Sequence, residues 1–341
     1  MRVRIEKLLR PRRPVRLLAC LLASGALLGW AGLVEFAHGQ QTQGAAGAEL
    51  QMLPVQGNVY LLAGAGGNIA VQIGQQGTLV VDTGLADRSD AVLAAIRKLT
   101  NKPIQYILNT HVHADHTGGN DAMRRAGTTI AGANVTGNLT DVKLGAQIFA
   151  HDNVLMRMSA PTGKQSPMPF GSWPTQTFFG EKKQMSFNGE PIEMLHQPAA
   201  HTDGDCLVFF RRSDVIAAGD IFLTTTFPFI DLERGGSIQG EVDALNTIVE
   251  MMVPLRQEEG GTYVIPGHGR IVDRFEVVEY RDMVTIVRDR IQASIKEGMT
   301  LAQIKAANLT LDYGYRYGAK TGFGTADNFV ESVYQSLTKT K

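Results

Sequence analysis

Short apolar runs punctuated by glycine turns fill the body of this chain, and long helical periodicity takes over only toward its end. Residues 58–62, 69–73 and 77–81 are aliphatic and β-branched stretches of strand length separated by glycines, the pattern of successive β-strands. Gly64-Ala65-Gly66-Gly67-Asn68, between the first two, reads as a hairpin tip. Residues 89–99 place Val92, Leu93, Ile96 and Leu99 at the 3–4 spacing of a surface helix, and 104–108 is again strand-like, which completes a strand–helix–strand unit. Thr117-Gly118-Gly119-Asn120 then turns the chain into a helix near Asp121. Further strands are expected at 147–150, 192–195, 206–210, 215–218 and 263–265, with Asn188-Gly189 as a hairpin turn. Residues 275–297 repeat apolar side chains at helical period, Thr300 has the form of a helix start, and 326–337 reads as a last helix. Tyr313, Tyr315, Tyr317 and Phe323, between these helices, are expected to pack the tail against the strand-rich body.

The 341 residues, 44% of them hydrophobic, suffice for one large domain or one domain with an appendage. The balance of 33 basic and 33 acidic side chains hides an asymmetry, because residues 1–39 carry seven of the basic and two of the acidic ones and leave 26 against 31 in the remainder. A mildly acidic body argues against nucleic acid as a partner and leaves a small-molecule substrate. Residues 1–39 read as an export signal: a basic region to Arg16, an apolar run over 17–34, and Ala37-His38-Gly39 as a small-x-small cleavage site before Gln40. The expected destination is periplasmic or secreted, with no membrane association once the signal is cleaved. Pro14-Val15-Arg16 continues poorly from Arg12-Arg13, which favours the general secretory route over the twin-arginine one. The two cysteines are Cys20, within the signal, and Cys206, read as a buried core thiol, so the mature chain forms no internal disulfide.

The chemistry concentrates at His111-Val112-His113-Ala114-Asp115-His116, four metal-capable side chains in six residues after a strand. In an extended segment residues i and i+2 face the same way, so His111 and His113 can grip one ion while Asp115 and His116 pass it. Imidazole with carboxylate suits zinc. Further histidines and aspartates stand beside strand-like runs in Asp82-Thr83-Gly84, His201-Thr202-Asp203-Gly204-Asp205, Gly219-Asp220 and Pro266-Gly267-His268-Gly269.

Together these pieces, in this order, resemble the signature of the metallo-β-lactamase superfamily. The resemblance implies an α+β fold, an αββα sandwich over 57–272, preceded by a signal (1–39) and a linker (40–56) and followed by a helical extension (273–341). It further implies two zinc ions per chain, with iron or manganese as alternatives. His111, His113 and His201 would hold the first ion, Asp115, His116 and His268 the second, and Asp220 would bridge them. Asp82 would support the histidine loop by accepting hydrogen bonds. By the same resemblance a metal-activated hydroxide, oriented by Asp115 as the catalytic acid–base group, attacks an ester, thioester, lactone or amide carbonyl. Asp220 stands where the main β-lactamases carry cysteine or serine, and residues 221–224 offer no lysine or arginine for a lactam carboxylate. The chain thus looks closer to the glyoxalase II and lactonase-like branches. Hydrolysis of β-lactams, a mononuclear-iron dioxygenase and a non-catalytic metal-binding scaffold are the alternatives. The glycine-rich tip at 64–68 is either a flexible lid or a plain turn. Phe170 and Trp173, in the Pro- and aromatic-rich loop 161–179, are the expected apolar wall of a substrate cleft. His151 is assigned a structural or capping role, and His196 a place at the strand end or behind the ligands.

Overall fold

The computed structural model describes residues 49–129, 145–160, 168–255 and 260–339. The export segment, residues 40–48 of the linker and residues 161–167 of the aromatic loop lie outside the described residues. The strands are β1 (Gln51–Gln56), β2 (Val59–Ala65), β3 (Gly67–Gly74), β4 (Gly77–Val81), β5 (Ile104–Leu108), β6 (Gln147–His151), β7 (Gln176–Phe178), β8 (Lys182–Phe187), β9 (Glu190–His196), β10 (Cys206–Phe210), β11 (Val215–Ala217) and β12 (Tyr263–Ile265). The first seven form one sheet in sequence order, antiparallel up to β4 and parallel from β4 to β7. The other five form a second sheet ordered β12-β11-β10-β9-β8, in which β11 and β12 pair in parallel.

Why the strands read as unbroken apolar runs follows from their burial on both faces. Leu61, Ala70, Leu79 and Leu108 point between the sheets, where they meet Ile192, Val208, Val215 and Ile265. Their neighbours Leu62, Val71, Val80 and Ile107 point the other way, onto Val92 and Ile96 of α1 (Ser89–Leu99). A one-turn α2 (Ala114–Thr117) and α3 (Asn120–Ala126) follow β5, and α4 (Asp152–Ser159) follows β6. The outer face of the second sheet is covered by α5 (Ile238–Met251) and α6 (Arg274–Lys296), with α7 (Leu301–Ala306), α8 (Gly314–Tyr317) and α9 (Ala326–Thr338) behind them. The layers are therefore helix, sheet, sheet, helix. Tyr280 and Phe222 meet edge to face at 5.0 Å within this outer layer, and each such fully buried large side chain contributes roughly 1.5–3 kcal/mol. Thr300 caps α7 in a capping box with Gln303.

Three sequence expectations are corrected. Residues 51–56, assigned to the linker, form β1, with Leu53 opposite Leu61. Pro54 hides this strand in the sequence but is tolerated because β1 is an edge. The loop expected over 161–179 ends in β7, which pairs with β6 and buries Phe178, a strand too short to show periodicity. The aromatic tail divides: Tyr317 is buried against Tyr280 and Phe227, whereas Tyr315 is 89% exposed and Phe323 68% exposed. No helix among the described residues is long and apolar enough to cross a membrane.

Candidate metal centre

Parallel pairing brings the chemistry to one edge. Val81 lies opposite Leu108 and Ala217 opposite Ile265, so β4 and β5 end level, as do β11 and β12. The first pair delivers Asp82 and the 111–116 loop, the second Asp220 and His268. The two ends meet where a Cβ on Gly219 (φ +54) would sit 2.7 Å from Thr110 Oγ1; glycine is required there both by conformation and by space. His111 and His113 are not in an extended segment. The chain bends at residues 110–112 and enters α2 directly after His113, and it is this bend that sets their rings perpendicular with centroids 5.0 Å apart.

Asp82 holds the bend together. Its backbone is left-handed, at φ 64, a conformation that aspartate tolerates better than most side chains. Its Oδ1 accepts from Thr110 N–H at 2.8 Å, and its Oδ2 accepts from the Thr110 hydroxyl at 2.7 Å and from His116 Nδ1 at 2.8 Å. With its own proton given to Asp82, the Thr110 hydroxyl is left to accept from His111 Nδ1 at 3.0 Å. His201 Nδ1 donates to the Phe229 carbonyl at 2.5 Å, and His113 Nε2 donates to Asp231 Oδ2 at 2.9 Å. A neutral imidazole whose outer nitrogen carries the proton presents a lone pair on the other. These hydrogen bonds therefore aim Nε2 of His111, His116 and His201, and Nδ1 of His113, at one place.

The inward atoms form two groups, His111, His113, His201 and Asp220, and Asp115, His116 and His268, with ligand atoms in each group within 4.8 Å of one another. Asp220 faces both. Its Oδ2 lies 4.0 Å from His111 Nε2 and 3.8 Å from His201 Nε2, while its Oδ1 lies 3.1 Å from His116 Nε2 and 3.5 Å from His268 Nε2. Among the described residues His111 Nε2 is buried without a hydrogen-bond partner, His116 Nε2 and Asp220 Oδ1 have no partner closer than each other, and His201 Nε2 and His113 Nδ1 face each other at 2.8 Å. Buried lone pairs turned on one another are costly unless a cation or proton lies between them. The donor set thus fits a pair of divalent ions.

The titration shifts have the same origin. Burial, and then the neighbouring imidazoles, hold His111 well below the usual histidine range, with Asp220 opposing. Burial lowers His201 to about 4, aided by His113. Burial also pulls on His116, but Asp220, Asp115 and Asp82 outweigh it and leave that group raised. For Asp220, burial pushes upward and His116 and His268 overcome it, so the carboxyl stays ionised. Asp115 is brought to about 2 against the pull of burial, by His116 and by its 3.1 Å contact with His268.

A cleft of about 940 Å³ opens over these groups, with His113, Asp115, Asp220 and His268 in its lining. Its apolar surface comes from Leu223, Phe227, Phe229, Phe323 and Met168. Phe170 and Trp173, the expected wall, do not line it. A helical turn at Phe170–Ser172 packs Gly171 against Asp121, and Phe170 is left 80% exposed. Trp173 donates its indole N–H to Met168 O at 2.7 Å and packs behind Met168, on the cluster around Val112 and Val154. The cleft also contains Arg157, paired with Asp203 at 2.7 Å, and Arg234, paired with Asp231 at 2.6 Å. Its cations thus come from α4 and from the 232–234 turn, far in sequence from the 221–224 segment that lacks them.

The glycine-rich tip is a buttress. A Cβ on Gly67 would lie 2.6 Å from His116 Nε2, and Asn68 donates its backbone N–H to Gly267 O and its side-chain amide to Pro266 O and Gly269 O, at 2.8, 2.9 and 3.0 Å. The tip therefore backs His116 and pins the His268 loop. His151 accepts from Asn153 N–H at the start of α4 and stacks on His196 at 3.6 Å; His196 Nε2 bonds Asp203 O at 2.8 Å, and neither histidine joins the donor groups. Sequence reasoning missed Asp231 and Phe229. The one available cue was the helix-capping form of Asp231-Leu232-Glu233, since Asp231 Oδ1 accepts from Glu233 N–H and Arg234 N–H.

Two facing sheets with helices outside, and strand-end histidines and aspartates at their shared edge, define the metallo-hydrolase sandwich class. The model of the metallo-β-lactamase superfamily matches residues 52–268, and the chain belongs to that superfamily. Among curated relatives, the linear primary-alkylsulfatase of Pseudomonas sp. (strain ATCC 19151) is 24% identical over 298 residues, 76% of this chain and 53% of that protein. A type 2 metallo-β-lactamase of Bacillus sp. (strain 170) is 20% identical over 211 residues, 61% of this chain and 69% of that protein. Among solved structures, a stereoselective inverting sec-alkylsulfatase from Pseudomonas sp. aligns with TM-score 0.58 and 17% identity, covering 86% of this chain and 51% of its own. A metallo-β-lactamase from Pontibacter korlensis aligns with TM-score 0.51 and 15% identity, covering 70% and 99%. The chain spans about half the length of the alkylsulfatases it matches.

Proposed function

We propose that this protein is an exported, dinuclear-metal hydrolase of small esters that carry an apolar group. The observation that carries the reading is Asp220, which turns one oxygen toward each of two groups of inward-facing imidazoles. His111, His113 and His201 would hold one ion, Asp115, His116 and His268 the other, and Asp220 both. When bound, two such cations polarise the scissile group and make water acidic enough to supply hydroxide near neutral pH. Asp115, ionised and in contact with His268, is placed to orient the attacking water and to accept its proton. Phe227 and Phe229 exclude water from the side where an acyl or alkyl group would lie.

Ester classes remain open to both carbonyl and sulfate centres, the latter supported by the alkylsulfatase relative. Arg157 and Arg234 line the cleft, each paired with an aspartate, and a carboxylate that reached these two residues would support β-lactam hydrolysis as the second reading. The deciding experiment is a panel of p-nitrophenyl butyrate, p-nitrophenyl sulfate, a linear alkyl sulfate and a chromogenic cephalosporin, before and after chelation and zinc return. Ester turnover that chelation abolishes and zinc restores is the expected result. Turnover indifferent to chelation overturns the metal reading, and cephalosporin turnover without ester turnover overturns the substrate reading.

A further inference from the structure

Among the exposed aromatic side chains Phe323, 68% exposed, is set apart by its place in the lining of the cleft. It belongs to the connector between α8 and α9, in the helical extension rather than in the sandwich. The connector is held firmly. Gly322 O accepts from the Asn328 side-chain amide at 2.7 Å, Ala319 N–H donates to Gly324 O at 3.3 Å, and a Cβ on Gly324 would meet Thr226 at 2.6 Å. Just before it, Phe227 N–H donates to Tyr317 O at 2.8 Å. The backbone on either side of Phe323 is therefore anchored. The Phe323 ring lies on Phe229 with centroids 4.5 Å apart, and Phe229 lies in turn against His113 at 6.0 Å and His201 at 5.6 Å. A continuous aromatic surface leads from two of the inward-facing imidazoles to the rim.

We infer that Phe323, with Phe229 beneath it, is a specificity-determining residue that receives the straight alkyl or acyl chain of the substrate. The inference rests on the ester-hydrolase reading and adds to it that the helical extension sets the chain-length preference. A methylene lying on this surface leaves water, and each one so buried contributes on the order of fourfold to binding; the selectivity is graded rather than absolute.

The test pairs a turnover series with a binding series on the zinc-loaded protein. The first compares p-nitrophenyl acetate, butyrate, hexanoate and octanoate. The second titrates butanoate, hexanoate and octanoate by calorimetry and needs no turnover. The wild-type protein is expected to gain in kcat/KM, mostly through KM, and in affinity, with each added pair of carbons. Phe323→Ala is expected to flatten both series while leaving zinc content unchanged, and Phe323→Leu to restore most of the gradient. Phe323 is surface-exposed, so the alanine variant loses no core. Gradients unchanged in Phe323→Ala overturn the inference. A wild-type protein that binds the longer carboxylates by way of Phe323 but turns over no ester would leave the inference standing and overturn the hydrolase reading instead.

Discussion

At the scale of single residues, the centre depends on carboxylates that keep their charge where burial opposes it. Asp220 does so by facing four imidazole nitrogens, two on each side. Two dications ~4 Å apart repel by on the order of 15 kcal/mol at an effective dielectric of ~20, and a bridging carboxylate offsets part of that. Asp220→Ala is therefore expected to cost the Asp115–His116–His268 group its ion first, since the other group keeps three imidazoles. Metal content after dialysis checks this, and two ions retained at wild-type affinity would make Asp220 a mere strand-end aspartate. Glu241 of α5 is the converse case. It is fully buried, neither of its oxygens has a hydrogen-bond partner among the described residues, and burial, then Asp205 and Asp220, raise its carboxyl well above the ordinary value. A group whose folded pKa is raised gives full stability below its unfolded pKa and loses it as pH rises through the folded one. Glu241→Leu is thus expected to raise Tm, by an amount that grows as pH rises above the ordinary glutamate range. An unpaired buried polar group typically costs about 1–3 kcal/mol. A Tm gap that stays flat or narrows with pH would show that Glu241 is satisfied in solution.

At the scale of elements, two supports act from outside the ligand loops. The turn after Phe229 sets the tautomers of His201 and His113 through a carbonyl and through Asp231, the outer-layer orientation that metal sites commonly require. The β2–β3 hairpin presses on His116 from the other group. Gly67→Ala is expected to displace the His116 ring, because its Cβ would lie inside contact distance of Nε2. The outcome to look for is zinc affinity lowered by roughly 10–100-fold, the range seen when outer-layer partners are lost, with the far-ultraviolet spectrum unchanged. Unaltered affinity would return the tip to the status of a plain turn.

At the scale of the whole molecule, the sandwich supplies the edge and the helical extension finishes the cleft. Phe227 stacks on Phe329 of α9 at 5.4 Å, so the extension shares a core with the loop that lines the cleft. The charge asymmetry of residues 1–39 motivates the expectation of an exported protein whose mature form begins at or near Gln40. Intact mass of the protein recovered from the periplasm of a producing host measures this directly, and a full-length, membrane-bound product would show the segment to be an anchor.

Local chemistry is what the sequence by itself determined. Strand-length apolar runs ending in Asp82, Asp220 and His268, and the histidine loop after 104–108, are short-range patterns whose periods and turn residues are readable without tertiary contacts. The helices α1, α6 and α9 were legible for the same reason. Only the tertiary structure decided which side chains face the cleft. Phe170 looked like a wall and turned to solvent, because a helical turn packed its neighbour Gly171 on α3. The places of Phe229, Asp231 and Phe323 in the cleft had no local signal beyond the capping form of Asp231, since their roles arise from contacts with His201, His113 and each other across 28 to 118 residues of chain. The edge strand β1 escaped notice because Pro54 breaks its pattern, and only its pairing with β2, with Pro54 opposite Tyr60 at the edge of the sheet, shows it to be a strand.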